Sequence, residues 1–261
     1  KAYVLPGLTS HCNLRANYPI HQFKGLLKYQ KKLYRKYHAQ YDIIHTWMGG
    51  LNPKYLRWST WLARLKPLYH FIFPEFSQLL VRALSPSKSV LDLGCGYLSP
   101  LLHYKHEFSI GVDSNYQLLL EGKKLLIHDY YIQCNLQNIE FKPSSFDAVI
   151  ALDVIENMSR DDGDILFNKM EQWVRHKIII KTINHGARDG DGKIIHAPWK
   201  ARDFKRKGYK VHGLGGLKYI KGVGSKRDYN FIRERLINAT FWFCYFFPSF
   251  ARELFAVKII E

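Results

Sequence analysis

The chain is poor in the residues that staple small proteins or hold metals. Its 261 residues include only four cysteines, Cys12, Cys95, Cys134 and Cys244, with no C-x-x-C pair and no histidine spacing to match. Neither a zinc site nor a disulfide framework is indicated, and a reducing cytoplasm suits this usage best. There is no apolar run near the roughly 20 residues that span a bilayer, and no charged segment leads into an apolar stretch at the start. Internal repeats and low-complexity linkers are absent as well, and a 47% hydrophobic composition excludes a disordered chain. One catalytic domain with an extension is the expectation.

Acidic residues are scarce in two places, which gives the net charge of +17 its pattern. Residues 1–88 hold 14 Lys/Arg against 2 Asp/Glu, residues 89–198 hold 11 against 15, and residues 199–235 hold 12 against 3. A nearly neutral middle is thus flanked by basic blocks. In the first block, residues 23–41 place Leu26, Leu27, Leu33, Tyr34, Tyr37 and Tyr41 near one helical face, with lysines and arginines largely elsewhere. Residues 1–84 therefore read as a basic helical extension, a candidate lid or surface-binding region. The basic faces suit a solvated helix, an anionic membrane surface or a phosphate backbone.

From Ser89 the texture changes. SVLDLGCG, FSIGVDSN, YYIQCN, FDAVIALDVI and HKIIIKTI recur every 20 to 30 residues, followed by YKVHGL at 209–214 and LFAVKII at 254–260. Short apolar runs alternating with helical patterns predict an α/β fold with a seven-stranded, mostly parallel sheet flanked by helices over residues 85–261. Helices are expected near 115–127, 161–175, 201–207 and 228–246, with another starting after Gly96.

The first strand ends at Asp92 and runs into Gly94-Cys95-Gly96. Glycines at the carboxyl end of a strand let the backbone turn sharply and approach a ligand. The second strand ends at Asp113, 17 residues after Gly96, where α/β nucleotide sites place an acid for ribose hydroxyls. Asp113 could equally cap the next helix, a role open also to Ser114 and Asn115. Dinucleotide folds want a third glycine three residues after the second. Here that place holds Ser99, followed by Pro100, so an NAD or FAD site is disfavoured.

VLDLGCG, GVDSN, FDAVIALDVIENM and HKIIIKTIN, in that order, resemble the motif series of class I S-adenosylmethionine-dependent methyltransferases across about two-thirds of the chain. The tail, with HAPWKARDFKRKGYKVHGLGGLK, is similar to a prokaryotic branch of unassigned acceptor. The resemblance implies a Rossmann-like fold and S-adenosyl-L-methionine as cofactor. It implies that Asp92, Gly94, Cys95 and Gly96 line the methionine part of the donor with Tyr97 beside it, and that Asp113, next to Ser114, takes the ribose. Asn135, with Leu136, stands where the family usually has an aspartate facing adenine. Leu152 and Asp153 fall near the sulfonium, and Glu156 in the following turn. Asn157 replaces the histidine of an E-H-L ending, which removes one possible base.

Methyl transfer from a sulfonium chiefly needs the acceptor held in line, so a general base is optional. Candidates for that role are Asp153 and His196, with His185 a third. Trp199 is either a wall of the acceptor pocket or an anchor for the next helix. No [DN]-P-P-[FYW] follows the fourth strand and no cysteine ends the fourth or fifth, which argues against most base-modifying chemistry. With FWFCYFFPSF at 241–250, too short to span a bilayer, the charge tilts the expectation toward a peripheral enzyme acting on a lipid-linked or other anionic acceptor. An RNA-modifying enzyme and a non-catalytic binding module are the alternatives.

Overall fold

Each apolar run becomes a strand. The computed structural model describes residues 76–184, 199–217 and 240–260. Its strands are β1 (Ser89–Leu93), β2 (Phe108–Asp113), β3 (Tyr130–Gln133), β4 (Phe146–Leu152), β5 (Val174–Ile183), β6 (Lys210–Leu217) and β7 (Ala251–Ile259). They form one sheet in the order β3-β2-β1-β4-β5-β7-β6. The first five run parallel to one another, and β7 runs antiparallel to both β5 and β6. Helices are α1 (Phe76–Leu84), α2 (Tyr116–Lys124), α3 (Arg160–Trp173) and α4 (Ala201–Arg206), and residues 240–246 are helical too. Most of the basic extension and the 228–239 part of the last expected helix lie outside the described residues.

Both faces of the sheet are covered, which is why β1 and β4 are buried along nearly their whole length rather than at alternate residues. On one face Phe167, Met170 and Trp173 of α3 pack with Trp199 and Phe204 against Leu91, Val149 and Ile180. On the other, Leu79, Leu80 and Leu84 of α1 pack with Leu101 and Phe241 against Val90, Ile150 and Phe255. The helical stretch at 240–246 comes so close to β6 that a Cβ on Gly213 would collide with the Cys244 carbonyl oxygen.

Capping decides where the helices begin. Asn115 Oδ1 accepts the amides of Gln117 and Leu118 at 3.0 and 3.3 Å, so Asn115 caps α2. Ser159 Oγ accepts the Asp162 amide at 3.1 Å and opens α3. The helix expected after Gly96 is corrected to a single 3-10 turn, Pro100–His103. The chain leaves this turn extended at Tyr104, whose hydroxyl lies 2.8 Å from the Ser87 carbonyl and 3.1 Å from that of Leu84. So short a turn offers little of the helix terminus that a pyrophosphate needs.

The sheet order reverses direction between β1 and β4, and it is beyond the carboxyl ends of such a pair that an open α/β sheet makes its crevice. Asp147 fixes the opposite ends of the same two strands. Its Oδ2 accepts the amides of Lys88 and Ser89, both at 2.9 Å, and its Oδ1 the Arg175 guanidinium at 2.7 Å. Burial alone would raise this carboxyl, but the amides and Arg175 outweigh it and hold it below the usual aspartate value. A depressed native value makes a contribution to stability that is full above the ordinary carboxylate range and lost as pH falls through the native one. Asp147→Asn should therefore cost about 1–3 kcal/mol at neutral pH and flatten the fall in stability as pH drops below the ordinary carboxylate range, as read by urea unfolding at stepped pH.

Candidate active site at the β1–β4 switch

At the end of β1 the backbone turns through Gly94 and Gly96, which adopt φ of +69° and +55°. Glycine takes this left-handed region without a Cβ penalty. The bend is clasped to β2: the amides of Gly94 and Cys95 donate to the Val112 carbonyl at 2.7 and 3.1 Å, and the Gly96 amide to Asp113 Oδ2 at 3.0 Å. Asp113 Oδ1 accepts the Asn115 amide at 2.8 Å. The glycine bend and the acid on the next strand are thus one unit. With Asn115 capping α2, Asp113 is released from that role. Its two oxygens have about four acceptor sites, so two remain beyond these backbone bonds. A side chain on Gly94 would strike Val154, whereas one on Gly96 would meet nothing within 4 Å.

Between the carboxyl ends of β1 and β4 lies a cavity of about 210 Å³. Among the residues the sequence singled out, Asp92, Gly94, Cys95, Leu152 and Asp153 line it. Four further lining residues matter and were not marked as site residues: Phe76, Leu98, Ser99 and Lys181. Ser99, noticed in the sequence only as a missing glycine, donates its hydroxyl to Asp92 Oδ2. Lys181 interrupts the apolar run KIIIKTI, a signal that was there to be read.

Lys181 brings charge to the far half of the crevice. Its Nζ lies 2.8 Å from both oxygens of Asp153, 3.4 Å from Glu253 Oε2 and 5.4 Å from the centre of the Phe76 ring. Burial works to lower its basicity, but Glu253 and Asp153 overcome this and raise it, so Lys181 stays an ammonium ion. Asp153 sits in the left-handed region at φ +57°, rare for a non-glycine residue and typical of functional sites. With both oxygens on Lys181, it is poorly placed to take a proton from an acceptor.

The other expected residues are spread along the same edge. Tyr97 is half exposed, Ser114 and Asn135 are exposed, and Leu136 is partly buried. The Gln133 amide reaches the Ser114 carbonyl at 3.3 Å, which joins the ends of β2 and β3, and Asn135 Oδ1 accepts the Gln137 amide at 3.1 Å. Glu156 is drawn inward instead: it is 5% exposed, and its Oε2 accepts the Thr182 hydroxyl at 2.8 Å. Burial pushes its carboxyl up, against the pull of Thr182. Asn157 Nδ2 donates to the Asp153 carbonyl at 3.4 Å, which helps hold that strained residue. Trp199 is 1% exposed and nests where Gly163 leaves space, under the Arg160 guanidinium at 4.1 Å. It packs against Phe167 of α3 and Phe204 of α4, away from the lining of the cavity between β1 and β4. His185 and His196 lie outside the described residues.

These features fit an adenosine-bearing sulfonium. Above Gly96 there is open space for a ligand against bare backbone, Asp113 retains acceptor capacity, and Asp92 and Asp153 face the cavity between them. Residues 91–179 match the family model described as a methyltransferase domain. An uncharacterized protein of Methanocaldococcus jannaschii is 28% identical over 161 residues, 58% of this chain and 68% of that one. Among solved structures, the chain is similar to an S-adenosylmethionine-dependent methyltransferase of Archaeoglobus fulgidus, with 15% identity, TM-score 0.47, and 74% and 98% of the two chains covered. It is similar also to one from Mesorhizobium loti, with 12% identity, TM-score 0.46, and 72% and 100% covered. At such scores these likenesses add no weight to the sheet order already described. Residues 91–179 thus match a methyltransferase domain, and the reversed strand order and the clasped glycine bend belong to its seven-stranded, Rossmann-like sheet.

Proposed function

We propose that the chain methylates an anionic, lipid-linked acceptor presented at a membrane surface. The observation that carries this reading is an exposed aromatic cluster at 242–250 whose end is tied to the carboxyl edge of the sheet. Trp242, Phe243, Phe246, Phe247 and Phe250 are between 38% and 66% exposed, and the Phe243 ring lies 5.0 and 5.4 Å from those of Phe247 and Phe250. Asn184, just past the end of β5, ties this segment down through the carbonyls of Pro248 and Ala251 at 2.9 and 2.8 Å. The aromatics therefore stand at the same edge of the sheet as the cavity. Exposed phenylalanine and tryptophan favour the boundary between headgroups and acyl chains, and the basic blocks supply attraction to anionic lipid. No helix among the described residues is long and apolar enough to cross a membrane.

In this reading Asp92 and the Gly94–Gly96 bend hold the methionine end of the donor, with Cys95 and Tyr97 alongside. Asp113 takes the ribose hydroxyls beside Ser114, and Asn135 and Leu136 contact adenine. Leu152 and Asp153 face the reacting centre. When bound, the donor supplies an electrophilic methyl group, which leaves sulfur as a new bond to the acceptor forms, with S-adenosylhomocysteine as the other product. The chain's task is alignment and exclusion of water, which can lower a barrier by about 7–11 kcal/mol without a base. The Lys181 ammonium can pin an acceptor oxyanion against the Phe76 wall, while Asp153 and Glu253 limit how much anionic charge the site attracts. The basic blocks also favour RNA as an acceptor, and that reading differs in its dependence on lipid and salt.

Three measurements test this assignment. Calorimetry should show S-adenosylmethionine binding that Asp113→Ala weakens by at least about 100-fold while cooperative unfolding persists; unchanged affinity removes the ribose role. Gly94→Ala, strained and clashing with Val154, should lower the melting temperature more than Gly96→Ala, which is only strained by about 1–2 kcal/mol. In sedimentation, the chain should follow vesicles containing anionic lipid and not neutral ones, and Phe246→Ser with Phe247→Ser should release it with donor affinity intact. RNA binding that falls steeply with salt, with no vesicle binding, would replace the lipid reading.

A further inference from the structure

Beneath the glycine bend, a line of polar side chains runs through apolar packing from a half-buried surface position to the crevice. His106 Nδ1 is 3.0 Å from the Tyr104 carbonyl, and His106 Nε2 is 2.8 Å from Ser109 Oγ. Ser109 Oγ is 3.3 Å from His128 Nδ1, and His128 Nε2 is 3.4 Å from Asp92 Oδ2. His128 and Asp92 are 3% and 1% exposed, and among the described residues Nε2 has no hydrogen-bonding partner apart from this approach to Asp92. The imidazole fits because position 111 is glycine: a Cβ there would fall 2.5 Å from the ring carbon Cδ2.

Each of the four contacts needs one proton. The Tyr104 carbonyl and an ionised Asp92 bring none, Ser109 brings one, and two neutral imidazoles bring one each. Three protons cannot serve four contacts. With neutral rings the line must leave two lone pairs facing one another inside the protein, which is costly. The fourth proton does not reside on His106, whose imidazole burial pushes down to about 4. Other groups packed here cannot offset the Asp92 charge: burial pushes the Cys95 thiol and the Tyr131 phenol up, so both are neutral. The Ser99 hydroxyl also donates to Oδ2, the oxygen that faces His128, which leaves Oδ1 out of both contacts.

We propose that His128 and Asp92 share one buried proton, and that His128 is thereby a positioning residue that holds the Asp92 carboxylate in the wall of the donor crevice. The imidazole acts as a counter-charge from below and replaces the solvent that a buried carboxylate lacks. The part of this inference that concerns the donor rests on the assignment of Asp92 to the methionine end. The shared proton does not.

Two experiments separate these parts. Long-range nitrogen NMR of the full chain at neutral pH, without donor, should show His128 as an imidazolium or sharing its Nε2 proton; a neutral ring with one bare nitrogen overturns the proposal. In calorimetry with S-adenosylmethionine, His128→Leu should weaken binding by at least about tenfold, while His128→Gln, whose amide can donate to Asp92 without titrating, stays within about threefold. Wild-type affinity should fall toward high pH, and His128→Gln should show no such fall. Unchanged binding in His128→Leu, or equal loss in both variants, overturns the positioning role. If His128→Leu does not fold, the NMR result and the pH profile of wild type against His128→Gln decide. If wild type binds no donor at all, the assignment of the crevice fails while the proton is still read directly.

Discussion

The crevice depends on a clasp between two strand ends. Val112 and Asp113, the last residues of β2, receive three backbone amides from the bend that follows β1. Without those acceptors the amides of Gly94, Cys95 and Gly96 would be left to the ligand or to water, and the bend would have no fixed height above the sheet. The clasp also gives Asp113 a fixed direction, because its other oxygen is held by the Asn115 amide. One carboxylate therefore shapes the loop and keeps acceptor capacity beyond its two backbone bonds. A loop built this way needs no third glycine and no long following helix. Ser99 and the short 3-10 turn are compatible with it, where a pyrophosphate site would not be.

Along the carboxyl edge of the sheet the chemistry divides. Over β1, β2 and β3 the ends carry Asp92, Asp113 and Asn135, acceptors suited to an amine, a diol and an exocyclic amino group. Over β4, β5 and β7 the ends carry Asp153, Lys181 and Glu253, a cation between two carboxylates. Antiparallel β7 makes this possible, because its first residues, not its last, reach the edge where β5 ends. The same reversal brings the end of the aromatic segment, Pro248–Phe250, to that edge.

The sequence was most legible where function and local pattern coincide. All seven strands announce themselves as apolar runs because both faces of the sheet are covered. The glycine bend and Asp113 are readable because their spacing along the chain sets their distance in space through a single βα unit. Which of Asp113, Ser114 and Asn115 caps α2 was open in the sequence, since all three residue types can do so; the geometry of one turn selects Asn115. What stayed hidden was long-range. Phe76 meets Lys181, and His128 meets Asp92, across separations that no local period encodes. For Glu156 the turn after β4 was readable, but not that its side chain would meet Thr182 on β5.

The ion pair at the far end of the crevice constrains what Asp153 can do. A carboxylate whose two oxygens both rest on a buried ammonium is a weak proton acceptor, since taking a proton would strand the ammonium with only Glu253 nearby. Asp153 can serve as a base only if an arriving acceptor first separates it from Lys181. An acceptor that is already anionic would have no proton to give up, and its oxygen could take the place of one carboxylate at Lys181. The strained backbone at Asp153 then has a physical rationale, for a residue held at φ +57° by neighbouring bonds gives up part of its own stability to keep that exchangeable carboxylate at the mouth of the site.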